Sequence, residues 1–217
     1  MGPRDRILEA AMTVFCRHGF RRSSIEETAE AAGLTRQALY HHFKSKEALF
    51  RAVIERVHDG ALADGAAAAE RAEAAGAALA GTIIAQVTAR LQAFVACFDG
   101  SPHVEELFSE HLIHARDLYQ HYAALHDAQV AATIERTVKR QKLALAPGMT
   151  AAKLARYVEL AVTGTKSAYP SMRPADAFLR DVEAMLRTLI AGAIAPTQPK
   201  KPSPAARPVR RKAGVRK

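Results

Sequence analysis

Polar side chains with hydrogen-bonding forks crowd into one short stretch, Thr35-Arg36-Gln37-Ala38-Leu39-Tyr40-His41-His42, with Lys44 and Lys46 just beyond. Wound as a helix at about 100° per residue, Arg36, Gln37, Tyr40, His41 and Lys44 share one arc, while Leu39 and Phe43 turn away from its centre toward a protein body. A helix of this size fits the major groove of B-DNA, where a guanidinium can pair with guanine through two hydrogen bonds and a carboxamide with adenine. Arg36 and Gln37 are therefore the expected base readers. Lys46 stands in the first turn of a following helix, where its charge opposes the helix dipole unless an anion such as a DNA phosphate sits there. Ser24 opens another helix, and the free amides at that end also suit a phosphate. As the plainer alternative, Tyr40 and Phe43 would be core aromatics and Arg36, Lys44 and Lys46 a solvated face.

A second constellation is His111, His114, Asp117 and His121, at spacings of three, three and four, which one helical face would carry if the helix ran through. Three roles stay open for it: metal sensing, a polar lining for a ligand's carboxylate, or a water-facing side should Leu112, Ile113 and Leu118 take the core. No metal or other cofactor is expected, because a true site takes ligands fixed from several segments. Catalysis is not expected either, since no Ser/His/Asp or Cys/His set, phosphate loop or supported carboxylate pair stands out. Cys16 and Cys97, far apart in sequence, are neither a disulfide framework nor a ligand set, which fits a reducing cytoplasm.

The elements that must position these groups read as helices throughout. No proline falls between Pro3 and Pro102, and the residues between are rich in Ala, Leu, Glu and Arg. Helix one is expected from Asp5 to its stop at Gly19. Ser24 with Glu27 forms a capping box for helix two. Gly33 makes a turn, Thr35 caps a short third helix ending near Phe43, and Ser45 caps a fourth. Alanine makes up more than half of the stretch from Ala61 to Ala80, read as the end of one helix, a soft region at Gly65 and Gly76, and the start of another. Further helices are expected at about 77–98, 103–114, 117–144, 150–168 and 175–194, separated by proline- and glycine-bearing breaks. The fold class is all-α with about nine helices.

The chain has 217 residues, 49% of them hydrophobic, with 31 Lys+Arg against 22 Asp+Glu, enough apolar material for a sizeable core. The formal charge of +9 is a property of the end: residues 196–217 hold eight basic residues and no acid, leaving a net of +1 before them. That segment, rich in Pro, Lys, Arg and Ala, is expected to be disordered. It would either strengthen DNA binding through counterion release or serve as a solubilising extension. The longest uncharged window, Ala74 to Ala89, is shorter than a membrane span needs. Arg4, Asp5, Arg6, Glu9 and Arg17 leave no uncharged apolar stretch of the kind a signal peptide requires, so none is expected.

Ile25 to His42 has the layout of a helix-turn-helix, with small Ala29 where the second helix packs, Gly33 at the turn and Leu39 pinning the second helix. The run Gly33-Leu34-Thr35-Arg36-Gln37-Ala38-Leu39-Tyr40-His41-His42-Phe43-Lys44-Ser45-Lys46-Glu47-Ala48-Leu49 closely resembles the signature of the tetracycline-repressor (TetR) family, and Ile7 to Phe20 is similar to that family's first helix. The likeness extends from the first helix to about Val57. It implies that Tyr40, His42 and Lys46 contact phosphate and, with Ser24, Thr35, Arg36, Gln37 and His41, make up the DNA-binding set. Thr28 replaces a usual aliphatic residue, and His41 a commoner aromatic one.

The same resemblance implies a DNA-binding domain at residues 1–60 and a helical effector-binding and dimerisation domain at 61–195. It further implies a homodimer acting on a palindromic operator, responsive to a small-molecule effector of unknown identity and acting as a repressor. A non-specific DNA binder driven by the basic tail is the alternative. The last two helices would form the dimer interface, with apolar stripes Leu154, Val158, Ala161 and Val162, and Phe178, Val182, Met185, Leu186 and Leu189; burial within one subunit explains those stripes equally. Phe94, Phe98, His111 and Tyr122 are the expected effector pocket, with Phe108 and Tyr119 also available, although core packing accounts for the aromatics as well.

Overall fold

The computed structural model describes residues 2–195. These form nine α-helices with no strand beyond one antiparallel bridge, Leu145 to Ile194; the tail expected at 196–217 lies outside the described residues. Helix α1 (Pro3–Arg22) breaks its helical dihedrals at Gly19, the expected stop, and one further turn carries the helix to Arg22. Gly19 has φ 77°, a left-handed value that glycine takes without strain, and the chain resumes helical hydrogen bonding beyond it. The kink delivers Phe20 into a cluster with Phe15 and Phe50, ring centroids 5.9 and 4.8 Å away.

Helix α2 (Ile25–Ala31) starts on the expected capping box. Ser24 Oγ accepts from the Glu27 amide at 3.1 Å, and the Glu27 carboxylate accepts from the Ser24 amide at 2.8 Å. Thr28 is fully buried without an orphaned polar group, because its hydroxyl donates to the Ser24 carbonyl at 3.1 Å. Thr35 caps α3 (Arg36–His42) through Ala38 N, and Ser45 caps α4 (Lys46–Ala74) through Ala48 N. Buried Leu39 and Phe43 fix α3 to the aromatic core of this N-terminal unit.

Helix α4 runs unbroken past residue 60, and its alanine-rich second half corrects the expectation of a soft region at Gly65. A Cβ at Gly65 would come within 2.9 Å of the Gln86 carbonyl and 3.2 Å of Arg90 Cβ. Glycine and the neighbouring small residues let α4 and α5 (Leu79–Ala96) cross closely; the chain breaks instead at Gly76, φ 76°. Helix α5 has mean hydropathy 1.3, long and apolar enough by length and composition to cross a membrane. Here it is the core helix, packed on α4, α7 and α9 and holding a buried arginine, Arg90.

Helices α6 (Val104–His114) and α7 (Arg116–Gln141) meet at Ala115, a buried non-helical residue. Helices α8 (Ala151–Ala168) and α9 (Ala175–Ala193) complete the bundle. Cys16 and Cys97 are both free thiols, yet Cys16 Sγ lies 3.6 Å from the Cys97 carbonyl, so their distance in sequence is not a distance in space.

Candidate nucleic-acid interface and ligand cavity

On α3 the residues Arg36, Gln37, His41 and His42 are exposed and Tyr40 is half-buried, while Leu39 is wholly buried beneath them. Arg36 and Gln37 thus project from a short helix whose inner face is anchored, which limits how far they can move relative to the body. Arg36 is not idle: its Nε pairs with Glu26 at 2.7 Å and its guanidinium lies 5.5 Å from the centre of the Tyr40 ring. Both partners are exposed, so the pair is weak and easily exchanged for another anion. His42 sits about 170° from the middle of the arc that holds Arg36, Gln37 and His41. Arg36, Gln37, Tyr40 and His41 therefore share a side that His42 does not.

Two expected phosphate contacts are already engaged. Lys46 Nζ donates to the carbonyls of Phe20, Arg21 and Ser23 at 2.9, 3.2 and 3.1 Å, and lies over the Phe20 ring. The carbonyls at the end of α1 thus offset its position at a helix start. Ser24 is likewise bonded by Glu27, whose carboxylate is held below its usual pKa by the Ser24 hydrogen bonds. Thr35 spends its hydroxyl on its own helix cap.

Helices α4 to α8 surround a cavity of about 180 Å³ lined by His58 of α4, Arg90, Leu91 and Phe94 of α5, Phe108, His111 and Leu112 of α6, Tyr119 of α7, Lys166 of α8 and Met172. Of the four residues expected there, Phe94 and His111 line it. Phe98 and Tyr122 stand one layer behind: Phe98 packs on Phe94 at 5.5 Å, and Tyr122 stacks on His58 at 4.6 Å with its hydroxyl on Asp59 at 2.7 Å. His58, Arg90 and Lys166 were not foreseen. Arg90 alone had a signal, as the only charge in an otherwise uncharged α5.

The histidine cluster is split. Helix α6 ends at Ala115, so His111 and His121 do not share one face. His111 is buried with its Nε2 3.4 Å from His58 Nε2, whereas Leu112 and Ile113 are 55% and 62% exposed, the reverse of the water-facing arrangement. His114 pairs instead with Glu110 at 3.0 Å. Burial drives the His58 pKa down to about 3 and that of His111 to about 4, with His111 and Lys166 adding to the respective effects. Both rings are neutral at neutral pH, one nitrogen donating to the other. Lys166, also through burial and then Arg90, drops to about 8.

A different trio, His126, Asp127 and Glu159, brings ligand-type atoms within 4.8 Å of one another. Arg90 and Lys166 act electrostatically on the buried His126 and Glu159 of this trio.

The cavity helices α6 and α7 are tied to α1 and α4. Glu106 of α6 accepts from the Arg21 amide at 2.8 Å and Glu110 of α6 pairs with the Arg21 side chain at 2.7 Å, at the end of α1 beside α2. Arg51 of α4 grips Asp117 through both guanidinium nitrogens at 2.7 Å and the His114 carbonyl at 2.6 Å. Helix α6 presents Phe108 and His111 to the cavity.

Residues 7–53 match the family described as bacterial regulatory proteins, tetR family. Residues 7–53 thus form a TetR-type N-terminal domain. It is 43% identical over 56 residues to the HTH-type transcriptional repressor ComR of Escherichia coli, 26% of this chain and 27% of that one. To the E. coli HTH-type transcriptional regulator UidR it is 42% identical over 60 residues, 28% of this chain and 31% of the other. The matches thus span under a third of these relatives' length. Solved structures extend the likeness to the whole fold. A TetR-family transcriptional regulator from Pectobacterium atrosepticum superposes with TM-score 0.63 at 20% identity, covering 89% of this chain and 94% of that one. SmeT, the repressor of the Stenotrophomonas maltophilia multidrug efflux pump SmeDEF, does so with TM-score 0.59 at 22% identity, covering 88% and 90%.

Proposed function

We propose that this chain is a ligand-responsive transcriptional repressor, not an enzyme, working in the cytoplasm as a homodimer on a palindromic DNA operator. The observation that carries the reading is the exposed Arg36, Gln37 and His41 face of α3, rigidly seated on Leu39 and Phe43 inside a TetR-type domain. In this reading Arg36 and Gln37 read base edges and Tyr40, His41 and His42 contact base or backbone. Residues 1–60 would carry the DNA contacts, and 61–195 the effector and the partner subunit.

A single helix-turn-helix covers too few base pairs for useful specificity, so two copies are needed about one helical turn apart or a multiple of it. The face for a second copy is supplied by α8 and α9, where Tyr157, Leu160 and Met185 are 41%, 49% and 47% exposed. Leu154, Val158, Val162, Phe178, Val182 and Leu186, expected from sequence at that interface, are buried within the subunit and hold the two helices together. Effector binding against Phe108 and His111 would displace α6, and with it Arg21 and Arg51, shifting the pair of reading heads away from the DNA-competent spacing.

Selection from a random duplex pool tests this reading, using the full chain and a form ending at residue 195. Enrichment of one palindrome by both forms is expected. Failure of any sequence to enrich, with binding lost when residues 196–217 are removed, would replace it with a tail-driven, sequence-independent binder.

A further inference from the structure

We propose that the cavity binds a small apolar acid, its hydrocarbon body lodged among Phe94, Phe108 and Leu91 and its carboxylate held between Arg90 and Lys166. This rests on the cavity being the effector site and names the chemical class it takes.

Arg90 lies on α5 with 7% of its surface exposed, lines the cavity, and leaves Nη1 without a hydrogen-bond partner. A buried guanidinium N–H with no acceptor is costly, and a carboxylate is the acceptor that matches its fork. Lys166 approaches from α8 on the other side. Its Nζ is 5.9 Å from the centre of the Tyr119 ring, and no carboxylate pairs with it directly among the described residues. Glu159, the buried carboxylate that acts electrostatically on both cations, lies 3.3 Å from His126 Nδ1 and hydrogen-bonds to neither Arg90 nor Lys166. Two cationic groups therefore converge on a space whose other walls are aromatic and aliphatic.

His58 and His111, being neutral, add a donor or acceptor but no charge. An organic cation would meet two like charges, and a ligand with no acceptor would leave Arg90 Nη1 unsatisfied. Size follows from volume: an apolar cavity of about 150 Å³ admits benzene, so 180 Å³ suits one ring or branched chain with a short acid arm. Leu112, both exposed and lining, marks the entrance.

Calorimetric titration of the full-length protein with 3-phenylpropionate, 3-phenylpropanamide and 3-phenylpropylammonium tests the proposal. The acid is expected to bind at least tenfold more tightly than the amide, and the ammonium not at all. Arg90→Met and Lys166→Met should each bring the acid down to the amide's affinity while leaving the amide unchanged; should Arg90→Met fail to fold, the half-buried Lys166 carries the comparison. Equal affinities for acid and amide, preference for the ammonium, or no binding by any of the three would overturn it. Operator binding followed in the same mixtures separates the two inferences. Acid that binds without altering DNA affinity keeps the anion site and removes its effector role; amide that releases DNA as well as acid does the reverse.

Discussion

Acidification should destabilise this protein well above the pH at which carboxylates titrate, and the buried His58–His111 pair sets the size of the effect. Each imidazole titrates near 6.5 in the unfolded chain, but in the fold burial holds them to about 3 and about 4. Below 6.5 the unfolded state therefore binds protons that the native state refuses, so stability falls with falling pH. The contribution is fully present above pH 6.5 and is lost progressively as pH drops toward 4 and then 3. At 1.36 kcal/mol per pKa unit and pH 5, each ring costs about 2 kcal/mol relative to pH 8, about 4 kcal/mol for both. That is a large share of the roughly 5–15 kcal/mol of a typical domain. Urea unfolding of the wild type, His58→Gln and His111→Gln at pH 8, 6.5 and 5 measures it. Each substitution should shrink the pH 8 to pH 5 difference by about 2 kcal/mol. Imidazole resonances titrating near 6.5 in the folded protein, or an unchanged pH dependence in both variants, would refute the assignment of these rings as buried and neutral.

Other substitutions probe the reading head and the frame beneath it. Leu39→Ala removes the fully buried anchor of α3 and should cost about 2–5 kcal/mol in urea unfolding, with a larger loss of DNA affinity than of helicity by circular dichroism. Glu26→Gln takes away the carboxylate bound to Arg36 and should raise affinity for any duplex several-fold at low salt, an effect that anisotropy titrations should show fading as salt rises. Gly65→Val must push against the Gln86 carbonyl and should lower stability by about 1–3 kcal/mol, shown by a lower urea midpoint.

The N-terminal unit was legible because its signals are local. Caps, a turn glycine and an anchoring leucine all occur between Ser24 and Ser45, and Ser24, Gly33, Thr35 and Leu39 each act within their own or the adjoining helix. What a side chain does across the bundle was not legible. Lys46 reads as an anion site because its first-turn position is visible in sequence, while the α1 carbonyls that it caps lie on the far side of two intervening helices in the chain. Gly65 reads as a weak point because the α5 backbone packed against it is set only by the tertiary crossing. The α6–α7 break at Ala115 carries neither Pro nor Gly, so the question of one shared histidine face could not be closed. Arg90 and Lys166 sit in separate helices with nothing between them in sequence to suggest that they meet.

Anisotropy titration of the selected operator and a scrambled duplex with wild type and Arg36→Ala, at one fixed salt concentration, tests the central claim most directly. The account predicts that Arg36→Ala weakens operator binding by about 5- to 150-fold, the range of one bidentate base contact, and leaves the scrambled duplex nearly unaffected. Equal losses on both duplexes would make Arg36 a backbone contact, and undiminished operator binding would contradict the assignment of α3 as the helix that reads DNA.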